Sequence, residues 1–308
     1  MLENVLTVGA QALVLFLLIL VGYFCGRADL IPEGAVAGMT NLALYIVIPC
    51  TLISAFQLKL TPETLRDFLL GAAAALAIHL LSFLVSVLVL REKDGTRKRI
   101  FTMACTFTNC NFMGFPLQTA LLGPTGIFYG TPYAMISPLL LWTGGIVYLS
   151  GDVKAFRWRK ALLNPGVFGI AAGLVLFVGG VTLPDILNTA VKHLADMAVP
   201  LPMLVIGCQL AHTDLRNILR DRMAWLCAAL GLLILPLGEV GLMVLCGIRG
   251  SVLVANAIAA ATPPGAAVAM LAQRNGLDPK LAAELVSSQT LMSIITMPLV
   301  VGLAQLLA

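Results

Sequence analysis

A stretch of 52 residues, from Ile100 to Gly151, contains no charged side chain. It is too long for one crossing of a bilayer, which needs about 20 apolar residues, and long enough for two. The sequence Gly-Pro-Thr-Gly at 123–126 is a turn signal near its middle. The stretch therefore predicts two membrane-spanning helices joined by a tight turn.

The rest of the chain is similarly poor in charge. Of its 308 residues, 59% are hydrophobic and 11% are charged, whereas an average soluble domain has roughly 25% charged residues. So few charges cannot cover a surface that faces water, which argues against a soluble enzyme, a nucleic-acid-binding protein and a disordered chain. Continuous apolar runs also disfavour a membrane barrel, whose strands alternate over about ten residues. The composition predicts an all-α protein with several membrane spans.

Ten spans result when the chain is divided at its charges and turn signals. Their predicted bounds are 4–26, 34–58, 68–90, two helices within 100–151, 161–184, 188–211, 223–248, 250–273 and 279–307. No basic segment precedes the first span, so we expect a retained helix and no signal peptide. The seven cysteines show no paired spacing, so we expect buried thiols and no disulfide framework.

The distribution of positive charge predicts the orientation, because Lys and Arg stay in the cytoplasmic loops of membrane proteins. If the N-terminus is outside, fifteen of the nineteen Lys and Arg residues lie in inside loops. Only Lys59, Arg66, Lys192 and Arg249 lie outside. We therefore expect a multi-pass protein of the cell (inner) membrane with both termini outside.

The two halves of the chain share landmarks at a nearly constant offset. Three pairs of residues lie 151 apart: Gly22 and Gly173, Pro49 and Pro200, and Gly114 and Gly265. Because each half holds five predicted helices, an odd number, the second half enters the membrane from the opposite side. This predicts two inverted repeats, 1–151 and 152–308, a plan that recurs in secondary transporters. A duplicated protein without a transport role is the alternative.

Helices 4 and 9 are predicted to be interrupted at mid-span. The interrupting residues are Asn109, Asn111, Gly114 and Pro116 in helix 4, and Thr262, Pro263, Pro264 and Gly265 in helix 9. Irregular backbone in a bilayer is tolerated only inside protein or beside a watery cavity. Matched interruptions in two repeats point to a transporter's binding site, and simple kinks in packed helices are the alternative.

Helix ends determine the chemistry expected at these interruptions. A broken helix exposes free N–H groups at the start of its second half, and two such ends that face each other can hold an anion. Asn109, Asn111 and Thr262 add side-chain donors, and neither interruption carries an acid. The pattern predicts an anion site and disfavours a cation exchanger with a carboxylate at the crossing.

The nine residues 109–117 resemble the Asn-x-Gly-Phe-x-Gly-x-Pro-Leu signature of the auxin efflux carrier family. They read Asn-Cys-Asn-Phe-Met-Gly-Phe-Pro-Leu, with Asn111 where the family has its first glycine. The segment after Gly265 is similar to the family's C-terminal pattern and includes Ser-Ser-Gln-Thr at 287–290. The resemblance covers nearly the whole chain, and the short central loop is like that of prokaryotic members.

This resemblance implies two crossed discontinuous helices and a secondary transporter whose cargo is a small organic anion, a mono- or dicarboxylate. Bacterial members are often described as malonate or malate permeases. The expected partners are the substrate, a coupling ion (H⁺ or Na⁺) and the lipid bilayer, without nucleic acid or cofactor. The alternatives are a carrier of a cationic or neutral solute, a non-transporting sensor and an intramembrane enzyme. No metal-ligand or nucleophile spacing supports an enzyme.

Ionisable residues inside spans are costly and indicate function. His79, His193, Asp196 and Glu239 are such residues, and we consider each for ion coupling. His193 and Asp196 lie one turn apart, which predicts either a proton relay or a hydrogen-bonded pair near the outer headgroups. His79 is also compatible with a hydrogen-bonded place in the core, and Glu284 is expected to be solvated near the inner face.

Small-residue motifs occur in helices 1 and 6, as Gly22-x-x-x-Gly26 and Gly169-x-x-x-Gly173. Such motifs let helix backbones approach closely in a membrane. Because the two helices are repeat partners, we expect packing within one chain before packing in a homodimer.

Overall fold

The computed structural model describes residues 2–155 and 165–308, and within them it is helical and has no strands. The helices are α1 (Leu2–Arg27), α2 (33–55), α3 (Pro62–Val89), α4a (Gly95–Thr106), α4b (110–122), α5 (Gly126–Ser150), α6 (Pro165–Val178), α7 (Asp185–Ala211), α8 (Arg222–Leu245), α9a (Gly250–Ala261), α9b (Ala266–Arg274) and α10 (Pro279–Leu307). The all-α class is confirmed.

Seven of these helices are long and apolar enough to cross a bilayer, counted over the residues described: α1, α2, α3, α5, α7, α8 and α10. The predicted helices 4 and 9 are each divided into two shorter helices. The predicted start of helix 6 at 161 lies outside the described residues, as do three of the inside charges, Arg157, Arg159 and Lys160. The chain is therefore a multi-pass helical membrane protein.

Capping and glycine residues shift several predicted boundaries. α3 begins six residues earlier than predicted, because Thr61 and Thr64 cap each other's N–H groups at 3.1 and 2.9 Å and Pro62 suits the first helical position. α6 ends at Val178, six residues before the predicted end, because a pair of glycines follows. The second of them, Gly180, has a φ of +62°, a backbone angle that residues with a side chain rarely adopt. Local backbone chemistry thus overrides the charge boundaries used for prediction.

Aspartates cap the three helices α4a, α8 and α10, through the side chains of Asp94, Asp221 and Asp278. The hydroxyl and N–H of Thr96 bond the Asp94 carboxylate and lower its pKa. Arg97 of α4a donates to Asp221 and also to Glu92 at 3.3 Å. This ion pair ties the start of α4a to the start of α8.

Glycines allow close packing of α1 on α7 and of α6 on α2. A Cβ on Gly22 would overlap the backbone of α7 at Leu204, and a Cβ on Gly207 would overlap the backbone of α1. In the second pair, a Cβ on Gly173 would lie only 2.5 Å from the Phe56 ring. The small-residue motifs therefore serve packing within the chain, as predicted.

The main helix contacts come in pairs that differ by a shift of five helices. α1 contacts α7 and α10, and α6 contacts α2 and α5. α3 contacts α4a and α5, whereas α8 contacts α9a and α10. Finally, α5 contacts α9a, and α10 contacts α4a. The two broken helices therefore lie inside a group formed by α3, α5, α8 and α10.

Candidate functional site at the crossing of two broken helices

The first break separates α4a from α4b. Residues 107–109 are not helical, and α4b starts as a π-helical turn, Cys110–Gly114, that continues into an α-helix. Asn109 caps this start, because its Oδ1 accepts a hydrogen bond from the Phe112 N–H at 3.4 Å. With the oxygen turned toward the helix, the Asn109 amide nitrogen Nδ2 remains a free donor among the described residues.

The second break separates α9a from α9b. Pro263 has no N–H, so the carbonyl of Ala259, four residues earlier, has no helical partner. Two hydroxyls replace it: Thr262 Oγ1 donates to Ala259 O at 2.7 Å, and Thr108 Oγ1 of the other break donates at 2.9 Å. A side chain from one break thus completes the hydrogen bonding of the other.

The two breaks also pair through their backbones. The contacts are a hydrogen bond from Asn109 N–H to Pro263 O (2.7 Å), one from Gly265 N–H to Phe107 O (3.1 Å), and an antiparallel bridge between Thr108 and Pro264. Irregular backbone buried in a membrane protein must find partners within the protein. Each break supplies them to the other, which explains how two interrupted helices are accommodated inside the protein.

A small cavity lined by both polar and apolar residues lies against one side of the crossing. Its lining residues are Thr40, Asn109, Phe112, Ile206, Gln209, Leu210, Ala266, Val286, Ser287 and Thr290. Ala266 is the first residue of α9b, and its N–H has no acceptor in the described part of the chain. The positive end of α9b and Asn109 therefore meet at this cavity, together with hydroxyl and amide groups from α2, α7 and α10.

Sequence reasoning missed four of the polar lining residues: Thr40, Gln209, Ser287 and Thr290. Nothing in the local sequence of Thr40 or Gln209 marks them, because each lies in an ordinary helix and reaches the cavity only through packing. The Ser-Ser-Gln-Thr stretch at 287–290 was the available signal for the two residues of α10.

Of the residues predicted to bind substrate, only Asn109 lines the cavity in this conformation. Thr262, Pro263 and Pro264 are buried in the crossing itself. Gly114 and Pro116 are also buried, and Gly265 is partly buried beside Thr108. Asn111 is half-buried, and its Oδ1 lies 3.8 Å from the Cys110 thiol. In this conformation these residues shape the crossing that positions Asn109 and Ala266.

The structure does not bring His193 and Asp196 together. Both side chains are exposed, and within 2–155 and 165–308 no hydrogen bond or ion pair joins them. Both residues lie on an exposed surface where the α-helix ends at Ala195 and a 3₁₀ turn follows, and a pair of exposed side chains gains little free energy from contact. The expected hydrogen-bonded pair is therefore absent there.

The remaining ionisable residues of the spans are buried. His79 and Glu239 are each 1% exposed. Glu284, expected to be solvated, is instead buried at 5% exposure, because the start of α10 packs against α9b. Lys280 Nζ lies 3.9 Å from the Glu284 carboxylate and offsets its charge. The expectation for Glu284 was wrong.

Sequence comparison identifies the family to which this architecture belongs. A family model described as "Membrane transport protein" matches residues 7–157 and 150–301. The chain belongs to this family of membrane transporters. The match confirms the resemblance to auxin efflux carriers.

Two archaeal relatives support the assignment. An uncharacterised transporter of Methanothermobacter thermautotrophicus is 24% identical over 287 residues, which cover 92% of this chain and 93% of the relative. An uncharacterised transporter of Methanocaldococcus jannaschii is 23% identical over 214 residues, which cover 66% of this chain and 69% of the relative. Both are described as transporters, consistent with a carrier rather than an enzyme.

Proposed function

We propose that this transporter is a secondary carrier of a small organic anion, a mono- or dicarboxylate, that works by alternating access. The anion binds where α4 and α9 cross. The observation that carries the proposal is the convergence of the Asn109 amide and the free Ala266 N–H on one cavity whose lining contains no acid. Donors without competing carboxylates favour an anionic ligand.

Helix lengths support ten crossings. α4a and α9a have 12 residues each, or about 18 Å at 1.5 Å per residue, which is shorter than the roughly 30 Å hydrocarbon core. Neither helix spans alone, but each continues beyond its break in α4b or α9b. Together with the seven long helices and α6, of which residues 165–178 are described, the two broken helices bring the number of crossings to ten, with both termini outside.

The paired helix contacts support an inverted repeat of residues 1–151 and 152–308. A shift of five helices converts the α1–α7 contact into the α6–α2 contact, and the α5–α9a contact into the α10–α4a contact. Gly22 and Gly173, which are 151 residues apart, lie in the corresponding close contacts. Two structurally equivalent halves can exchange conformations, and this is the basis of alternating access in such transporters.

The position of the cavity favours substrate entry from the inside in this conformation. Gln209 lies near the end of α7, and Ser287 lies near the start of α10. The charge distribution assigns both of these helix ends to the inside. This position supports a carrier that faces the inside in this conformation and needs a second conformation with a path on the opposite side.

Glu284 is the observation that favours a second candidate, a carrier of a cationic or neutral solute. It lies one turn before Ser287 on the same helix, close to the cavity entrance. Lys280 offsets its charge, and the donors at the crossing lie deeper than Glu284. We therefore prefer the anion carrier.

Uptake into proteoliposomes tests the proposal. Labelled mono- and dicarboxylates, organic cations and neutral solutes are compared under imposed pH and sodium gradients. A Cβ on Gly265 would lie 3.4 Å from Thr108 O, so Gly265→Ala should transport, whereas the larger side chain of Gly265→Leu should block the crossing. The proposal is supported if a carboxylate is taken up saturably by the wild type and by Gly265→Ala but not by Gly265→Leu. It is contradicted if only cations or neutral solutes are taken up.

A further inference from the structure

In the part of the chain that the structure describes, several buried hydrogen-bond acceptors beside the crossing have no donor. Glu239 is 1% exposed, and neither of its carboxylate oxygens has a partner. Asn256 Oδ1 has no donor either. The Nδ2 of the same side chain donates to Val252 O at 2.9 Å and so fixes which way the amide points. His79 Nε2 is a third such atom, and its Nδ1 lies 2.7 Å from Ala75 O. This region therefore lacks donors, and a bound proton is the smallest group that can supply one.

Glu239 and Asn256 lie at the same level of one helical hairpin. Glu239 is six residues before the end of α8 at Leu245, and Asn256 is six residues after the start of α9a at Gly250. At 1.5 Å per residue both are about 9 Å from the turn. α8 and α9a contact each other along the hairpin, so the two unpartnered groups occupy adjacent helices at equal depth.

Tyr133 of α5 connects this level to the crossing. The residue before it, Pro132, and the Asn256 amide both adjoin Gly71 of α3. The ring centroid of Tyr133 is 4.7 Å from that of His79. Tyr133 also packs in one apolar cluster with Ala259, whose carbonyl joins the two breaks, so a change at this level can reach the crossing through packed side chains.

The neighbours of Glu239 offer it no cation. The helices packed against α8 are α3, α4a, α9a and α10. Their titratable side chains are Glu63, Arg66, Asp67 and His79 of α3, Arg97, Lys98, Arg99 and Cys105 of α4a, and Lys280 and Glu284 of α10, whereas α9a supplies none between Gly250 and Ala261. None of the cationic groups forms an ion pair with Glu239 among the described residues. In the described ranges no group of three or more His, Cys, Asp or Glu could hold a metal. An unpaired carboxylate in an apolar interior is strongly disfavoured and takes up a proton instead.

We infer that Glu239 is the site at which this carrier binds a coupling proton, with Asn256 Oδ1 as the acceptor and Tyr133 as the link to the crossing. The proton adds to one Glu239 oxygen and forms O–H···Oδ1, which removes the carboxylate charge and gives Asn256 Oδ1 a donor. Loss of the proton leaves a buried carboxylate with no partner. The coupling role rests on the proposed carrier function, whereas proton binding itself does not.

Infrared difference spectroscopy of the purified protein in lipid tests the site without any substrate. The wild type at neutral pH should show the C=O band of a protonated carboxylic acid. Glu239→Gln should remove that band, and the matched variant Glu284→Gln should retain it. A band that is absent from the wild type or survives in Glu239→Gln overturns the inference, as does its loss when sodium replaces potassium at constant pH.

Two further measurements separate folding and cargo from proton binding. If Glu239→Gln does not fold, Asn256→Ala should shift the same band to the frequency of a non-hydrogen-bonded acid, and an unshifted band refutes the pairing. With a carboxylate that the wild type transports, Glu239→Gln should lose accumulation driven by a pH gradient and keep counterflow. If no carboxylate is transported but the infrared result holds, the cargo assignment fails and the proton site stands.

Discussion

The two hydroxyls that share the Ala259 carbonyl allow a quantitative test of the crossing. Thr108→Val or Thr262→Val removes one donor and leaves the other, at 2.7 or 2.9 Å, in place. Each single variant should cost about 0.5–1.5 kcal/mol, the net value of one hydrogen bond. The double variant leaves the buried Ala259 carbonyl without any donor, since Pro263 has no N–H. This adds about 1–3 kcal/mol to the loss of stability.

The assay is a double-mutant cycle on the thermal unfolding of the purified protein in detergent. The double variant should be destabilised by more than the two single variants together, as expected for residues that share a partner. Thr131→Val is a suitable control, because its hydroxyl donates only to Ile127 O in its own helix. Strict additivity of Thr108→Val and Thr262→Val would refute the shared-acceptor account of the crossing.

Three other outcomes are expected. Gly207→Ala should lower the unfolding temperature, because its methyl group would overlap the backbone of α1 and overpacking typically costs about 1–3 kcal/mol. Gly241→Ala is the control and should leave the unfolding temperature unchanged, because a Cβ there has no neighbour within 4 Å. Cysteines placed at Glu3 and Ala308 should react with an impermeant reagent from outside, and labelling only after permeabilisation would contradict the topology. Gln209→Leu removes a polar lining residue and should raise the apparent substrate dissociation constant, which binding assays measure; unchanged affinity would remove Gln209 from the site.

Much of the fold could be predicted because its signals are local. The bounds of α10 agree with the prediction, 279–307, since an aspartate cap starts the helix and an apolar run follows. The two breaks were predictable from proline and glycine, which change the backbone wherever they occur. α3 shows the limit of charge boundaries, because the cap at Thr61 extended the helix past three charged residues.

The cavity could not be predicted in full, because its residues come together only through packing. The pattern treated Asn109 and Asn111 as equivalent donors, yet the cap and the π-helical turn place only Asn109 in the lining. Gln209 reaches the cavity because α7 packs beside α2 and the start of α4b. Burial of Glu284 likewise depends on the packing of α9b, which no nearby residue indicates.

Substrate selectivity of Asn109→Asp tests the anion site most directly, with Asn111→Asp as a variant of equal charge outside the cavity lining. In proteoliposomes, Asn109→Asp should reduce affinity for the transported carboxylate by at least about tenfold, since a lost hydrogen bond to a charged group costs roughly 1.5–3 kcal/mol and a carboxylate repels the anion. Asn111→Asp should lose less affinity for the same carboxylate. If Asn109→Asp transports the wild-type substrate equally well, the crossing does not bind an anion, and a cationic or neutral cargo replaces it.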